Sequence, residues 1–120
     1  MKKEIHEKVW GREEWIANTD KYCGKFLYLE KGKRCSLHYH KKKDETFYIF
    51  KGRVLMEINN KDKVMKKGDA VHITPMMAHR FSGLEKSVII EFSTHHEEND
   101  SYRIEESGDI PKEITWRYRK

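Results

Sequence analysis

Three histidines and one glutamate stand at spacings that suit a single metal ion. His38 and His40 are separated by one residue, Glu45 follows a short basic turn, and His79 lies in a later segment. Residues i and i+2 of a strand point to the same face, so His38 and His40 can share one ion. Glu45 can return to that ion from the start of the next strand. His79 must arrive from a separate hairpin, as a closed barrel would allow. Three imidazoles and one carboxylate form an octahedral or trigonal-bipyramidal site for a first-row transition metal, with room left for substrate. The expected cofactor is one divalent ion (Mn, Fe, Zn, Ni or Co), with Mn favoured, and the expected ligands are His38, His40, Glu45 and His79.

The elements that would carry these residues read as short strands. KFLYLE (25–30) alternates apolar and polar positions, ETFYIF (45–50) and RVLMEI (53–58) flank Gly52, and Asn59 to Asp62 is a turn signal. AVHITP (70–75), HRFSG (79–83) and SVIIEFST (87–94) follow. Regular short strands with polar turns imply an all-β sandwich or barrel. The 120 residues amount to one domain, divided into an N-terminal arm (1–22), a barrel core (23–95) and a C-terminal extension (96–120). Trp10 and Trp15 are candidate anchors of the arm, Gly11 is expected to break its run, and EITWRYRK (113–120) reads as an extra strand.

Composition narrows the function classes. Charged residues make up 38% of the chain and the net charge is +5, yet acids alternate with bases through most of its length. That is a solvated surface, and no nucleic-acid partner is expected from it. A modest positive field could still draw in anionic substrates. The start, MKKEIHEKVW, is too charged for a signal peptide, and no run is long enough to span a membrane. Cys23 and Cys35 do not have zinc-knuckle spacing. The expectation is a cytoplasmic protein with reduced thiols and no membrane partner.

The spacing Gly32, His38, His40, Glu45, Gly52 resembles the first motif of the cupin superfamily at every position. Gly68 and His79 fit the second motif, in which Thr74 stands for a proline, Met76 for a glycine and Gly83 for an asparagine. The resemblance implies a single-domain double-stranded β-helix, or jelly-roll barrel. A finer likeness points to the cupin-type sugar isomerases. His38, His40, Lys43 and Glu45 match the HxHxxKxE pattern of the D-lyxose isomerase family. Trp10-Gly11, the Ile89-Ile90-Glu91 segment and Asp100 to Arg103 resemble the mannose-6-phosphate isomerase domain of type II bifunctional enzymes. The resemblance implies a metal-dependent aldose–ketose isomerase or epimerase acting on a sugar or sugar phosphate. Cupins with the same four ligands also include iron dioxygenases, and non-enzymatic sugar-binding or regulatory cupins form a third class.

Isomerisation moves a proton between adjacent carbons, so a proton carrier must stand beside the metal. Lys43, between ligands His40 and Glu45, is one candidate, and a nearby dication would pull its pKa toward neutrality. Glu91 interrupts an apolar strand and is the other, as a base or hydroxyl binder at the barrel mouth, unless strand alternation turns it outward. Tyr28, Tyr48 and Phe81 are candidate pocket walls. Asp100 and Arg103 are candidate substrate binders, with Arg103 either gripping a phosphate or pairing with Glu105. His95 and His96 read as rim residues, His72 as structural, and Met65, Met76 and Met77 as core or pocket wall. A homodimer is expected, in which a terminal arm crosses or augments a partner sheet.

Overall fold

A computed structural model describes residues 4–119, so Met1 to Lys3 of the expected arm and Lys120 of the expected tail strand lie outside it. Among the described residues thirteen strands run in chain order: β1 (Glu4–Lys8), β2 (Gly11–Asn18), β3 (Cys23–Leu29), β4 (Lys33–Arg34), β5 (Leu37–Tyr39), β6 (Glu45–Lys51), β7 (Arg53–Ile58), β8 (Lys61–Lys66), β9 (Ala70–Ile73), β10 (His79–Gly83), β11 (Ser87–Ser93), β12 (Tyr102–Glu105) and β13 (Gly108–Asp109). Two sheets face each other. One has the order β1-β2-β3-β11-β6-β9; the other has β12-β5-β10-β4-β13, with β7 and β8 joined through β10. This is the all-β fold that the strand pattern implied, and the jelly roll that the resemblance implied.

The core lies between the sheets and is built from alternate residues of the strands. Leu27, Leu29, Phe47, Ile49, Val54, Met56, Met65, Ile73, Phe81 and Ile89 pack there with Trp10 and Cys35. Turn chemistry sets the register. Asn59 and Asn60 have φ of 49° and 67°, so the β7–β8 hairpin closes on a two-residue loop whose twist matches the strands. At Gly52, φ is 96° and an added Cβ would stand 2.2 Å from the Ser87 hydroxyl, so only glycine lets the β6–β7 turn pass beneath β11.

One expectation is corrected here. Residues 112–117 form a short helix, α1 (Lys112–Arg117), not a strand. Pro111 stands just before it with φ −55°, and its carbonyl accepts from the N–H groups of Ile114 and Thr115. Gly11 breaks the N-terminal run as expected: β1 ends at Lys8, a turn follows, and Gly11 begins β2, which pairs with β1 and β3 of its own sheet. Trp10 and Trp15 are buried as anchors. Cys23 and Cys35 are free and buried, and burial pushes the Cys35 thiol up to about 12. No helix among the described residues is long and apolar enough to cross a membrane.

Candidate functional site

Strand pairing brings the histidines together. His38 on β5 is the cross-strand partner of His79, the first residue of β10. His40 follows β5 on the same face, and Glu45 opens β6 from the opposite sheet. The ligand-capable nitrogens of His38, His40 and His79 lie within 4.8 Å of one another. Glu45 Oε2 stands 3.1 Å from His79 Nε2 and 3.4 Å from His40 Nε2.

The outer nitrogens fix how these rings are used. Nδ1 of His38, His40 and His79 donates to the carbonyls of Ser36 (2.8 Å), Asp100 (2.9 Å) and Met77 (3.0 Å). Each ring therefore carries its proton on Nδ1 and turns a bare Nε2 lone pair inward, the arrangement of metal-ligating imidazoles. Buried Nε2 of His79 and Oε2 of Glu45 have no hydrogen-bond partner. Four converging donors, two of them orphaned and buried, fit a divalent transition metal, and the N₃O set suits Mn, Fe, Co, Ni or Zn. The charge balance agrees. Burial and the neighbouring His79 pull the His38 pKa down to about 3, so its ring is neutral. Burial acts to raise the Glu45 pKa, and with the imidazole Nε2 atoms bare it is the Lys43 ammonium that pulls it down.

A cavity of about 580 Å³ opens beside these donors. Phe47, Phe81, Leu27, Trp10 and Cys35 form its apolar wall. The opposite wall is charged. Lys43 Nζ lies 2.6 Å from Glu91 Oε2 and 3.7 Å from Glu45 Oε1. The Ser93 hydroxyl donates to Glu91 Oε2 at 2.8 Å. Burial draws the Lys43 pKa down, yet Glu91 and Glu45 together raise it above the ordinary lysine value. Two carboxylates facing the ammonium outweigh its burial; the fall toward neutrality is an expectation for the metal-loaded site.

Lys25, Glu13 and His96 line the site although the motif did not single them out. Lys25, 2% exposed, reaches across from β3 to Glu13 (3.5 Å) and lies over the Trp15 ring at 4.2 Å. Trp15 Nε1 donates to Glu13 at 2.7 Å. His96 is more than a rim residue: its Nδ1 accepts from Lys43 (3.0 Å) and from Lys25 (3.3 Å). Two ammonium donors on Nδ1 leave the ring proton on Nε2, 3.3 Å from Glu98. Burial, then Lys25 and Lys43, lower the His96 pKa to about 3. The signal for Lys25 was its place in strand phase with Leu27 and Leu29; its register partner on β11 is Glu91.

The remaining candidates separate. Phe81 lines the cavity. Tyr28 and Tyr48 do not: strand alternation turns both to the outer face, where Arg12 sits 4.0 Å over the Tyr28 ring. Asp100 is buried, and its carboxylate accepts from the backbone N–H groups of Lys41, Lys42 and Lys43 at 2.9–3.2 Å. Burial acts to raise its pKa, and those three N–H groups lower it below the usual value. Asp100 thus shapes the loop between His40 and Glu45 and holds His40 through its carbonyl. Arg103 reaches the cavity rim and pairs with Glu106 (3.1 Å), while Glu105 goes to Arg80 (2.9 Å). His72 is exposed and pairs with Asp44, and His95 bonds the Thr19 carbonyl at the surface. Met65 is in the core, Met77 packs against it, and Met76 is exposed.

The Cupin domain family model matches residues 25–93. An uncharacterised protein of Methanocaldococcus jannaschii is 36% identical over 53 residues, covering 44% of this chain and 42% of that protein. Among solved structures, KdgF from Halomonas sp. superposes with a TM-score of 0.74 at 17% identity, over 80% of this chain and 89% of that one. A Streptomyces PAC13 variant with uridine gives 0.76 at 11% identity, over 93% and 89%. At such identities these likenesses speak for the fold.

Proposed function

Because this chain belongs to the cupin family, we propose that it is a metal-dependent isomerase or epimerase of a sugar or sugar phosphate. The observation that carries the reading is the buried Lys43–Glu91 pair, 2.6 Å apart, lining the same cavity as His38, His40 and Glu45. His38, His40, Glu45 and His79 would hold a divalent ion, manganese or a neighbour in the series, which when bound would supply Lewis-acid polarisation of a substrate oxygen. Glu91 takes the proton from the carbon next to the carbonyl and returns it to the adjacent carbon. Lys43 keeps the Glu91 carboxylate aimed at that proton and donates to the substrate oxygen that gains charge. Phe47, Phe81 and Trp10 shield one side from water.

The cavity's charges are largely paired. Glu7, Glu13, Glu45, Glu91, Glu98 and Glu106 line it with Lys8, Lys25, Lys43 and Arg103, and a divalent ion would bring the positive charges level with the carboxylates. Lys25, Lys43 and Arg103 already face carboxylates, and sugar hydroxyls can bridge such pairs.

The test is incubation of metal-loaded protein with pentoses, hexoses and their phosphates in D₂O. Deuterium at C1 or C2 of a sugar supports the reading, and Lys43→Met should keep the metal while slowing exchange by about 10²–10⁴-fold. Oxygen consumption without deuterium uptake would replace it with dioxygenase chemistry. Saturable sugar binding without exchange would leave a binding module.

A further inference from the structure

The charged wall of the cavity is a ladder that climbs away from the histidines. Glu45 on β6, Glu91 on β11, Lys25 on β3 and Glu13 on β2 all line the cavity. Register sets the steps. Glu45 pairs with Ser93, two residues from Glu91; Glu91 pairs with Lys25; and Glu13 pairs with Leu27, two residues from Lys25. The ladder thus crosses four neighbouring strands, with Glu45 at the histidine end and Glu13 at the far end. The proton transfer proposed above uses Glu91 and Lys43 alone. The far rungs, Lys25 and Glu13, have no part in it.

Lys25 is the rung with donors to spare. An ammonium has three N–H donors. Those of Lys43 face Glu91 at 2.6 Å, His96 Nδ1 at 3.0 Å and Glu45 at 3.7 Å. Those of Lys25 face the same His96 Nδ1 at 3.3 Å, Glu13 at 3.5 Å and the Trp15 ring, whose centre is 4.2 Å away. A neutral imidazole nitrogen offers one lone pair, and Lys43 stands nearer to it. The shortest contact of Glu13 is to Trp15 Nε1, at 2.7 Å, and not to Lys25. A lysine that is 2% exposed therefore has only long contacts. Burying a charge in this way is costly unless a further acceptor arrives, and Lys25 lines the cavity through which one can come.

The position of Lys25 says what that acceptor is. Lys25 and Lys43 touch one nitrogen, so their ammoniums stand within two hydrogen-bond lengths of each other. That is the span of roughly four carbons of an extended chain at ordinary bond lengths. We infer that Lys25, backed by Glu13, is the subsite for the distal hydroxyl of an open-chain sugar, and that it selects six-carbon chains over four-carbon ones. Lys25 donates to the hydroxyl oxygen, and the hydroxyl proton goes to Glu13. The inference rests on the sugar reading above for the class of ligand, and not on the isomerisation step.

The experiment is calorimetric titration of Mn²⁺-loaded protein with alditols, which cannot close into rings: threitol with four carbons, and glucitol and mannitol with six. Wild type should bind a six-carbon alditol about 10–100-fold more tightly than threitol, the worth of a hydrogen bond to a charged group. Lys25→Met should bring the six-carbon affinity down to that of threitol and leave threitol itself unchanged. A merely structural role would weaken both alike. Metal content and far-UV circular dichroism check that the variant is loaded and folded. Lys25→Met/Glu13→Gln removes both charges, keeps an acceptor for Trp15, and should lose the preference in the same way. A chain-length preference that survives in either folded variant overturns the inference. So does equal affinity for threitol and the hexitols in wild type, or no saturable binding of any of them. Deuterium exchange without a Lys25-dependent preference sinks this inference and spares the isomerase reading; a Lys25-dependent preference without exchange does the reverse.

Discussion

Strands β3, β11 and β6 have two faces of opposite character, and the polarity is the reverse of the ordinary one. Toward the protein interior they present Lys25, Glu91 and Glu45 among Leu27, Ile89 and Phe47, all buried. Toward the outside they present Phe26, Tyr28, Ile90, Phe92 and Tyr48. Glu91 and Phe92 are neighbours in sequence, yet the carboxylate is 4% exposed and the ring 57%. Alternation fixes that the two point opposite ways; it does not say which way is in. The inward charges are tolerated because each faces an opposite charge: Glu91 and, at 3.7 Å, Glu45 face Lys43, and Lys25 faces Glu13. Buried ions without a function are a poor route to stability, so this inversion marks the interior face as the working one.

The largest expected effect comes from breaking the inner face at one partner. Glu91→Leu leaves the Lys43 ammonium buried with a single carboxylate at 3.7 Å. It should lower unfolding free energy by about 3–5 kcal/mol in urea titrations. Lys43→Met/Glu91→Leu removes both charges and should recover most of that loss. If the single change costs less than about 1 kcal/mol, the pair is hydrated and the comparison between the faces collapses.

A pH series tests the same face. His96 and His38 both have pKa values lowered from 6.5 to about 3 in the folded chain. The unfolded chain takes up these protons near pH 6.5, the folded one does not. The stability they contribute is therefore complete above pH 6.5 and is lost as pH falls toward 3. In metal-free protein the slope between pH 6 and 5 should correspond to about two protons, roughly 1.4 kcal/mol per pH unit for each. His96→Gln keeps an acceptor for Lys25 and Lys43 and should reduce the slope to about one proton. An unchanged slope would mean that His96 titrates normally at the mouth.

Much of this architecture was legible in the chain. Strand runs, turn residues and the HxH spacing led to the barrel and to the cluster of His38, His40 and His79, because a period of two and short loops leave few arrangements. Facing was not legible. KFLYLE has large apolar residues in both phases, so Tyr28 looked as eligible for the pocket as Leu27, and Lys25 looked like surface. Partners distant in sequence, such as His96 with Lys25 and Lys43, left no local pattern. The tail EITWRYRK has strand-forming side chains, but Pro111 before it starts a helical turn. Met76 is a legible oddity: it holds the glycine position of the second motif, and its φ is 74°. This left-handed residue lies in the turn between β9 and His79, and its N–H donates to the His40 carbonyl at 2.7 Å. Met76→Gly should relieve that conformation and raise stability by about 1 kcal/mol with metal binding retained, read by thermal melts with and without Mn²⁺. A loss of stability would show that the exposed Met76 side chain packs on something in solution.

The smallest effect should come from the outer face. Phe92→Thr replaces an exposed ring with a residue that favours strands equally well, and it touches neither the core nor the paired charges. In a sample dilute enough to be monomeric, the change in unfolding free energy should stay within about 0.5 kcal/mol, the usual range for a surface substitution. That is several-fold below the loss expected one residue earlier in the chain, at Glu91. A cost above about 2 kcal/mol in the monomeric sample would mean that Phe92 is packed within its own chain, and the contrast between the two faces of β11 would have to be withdrawn.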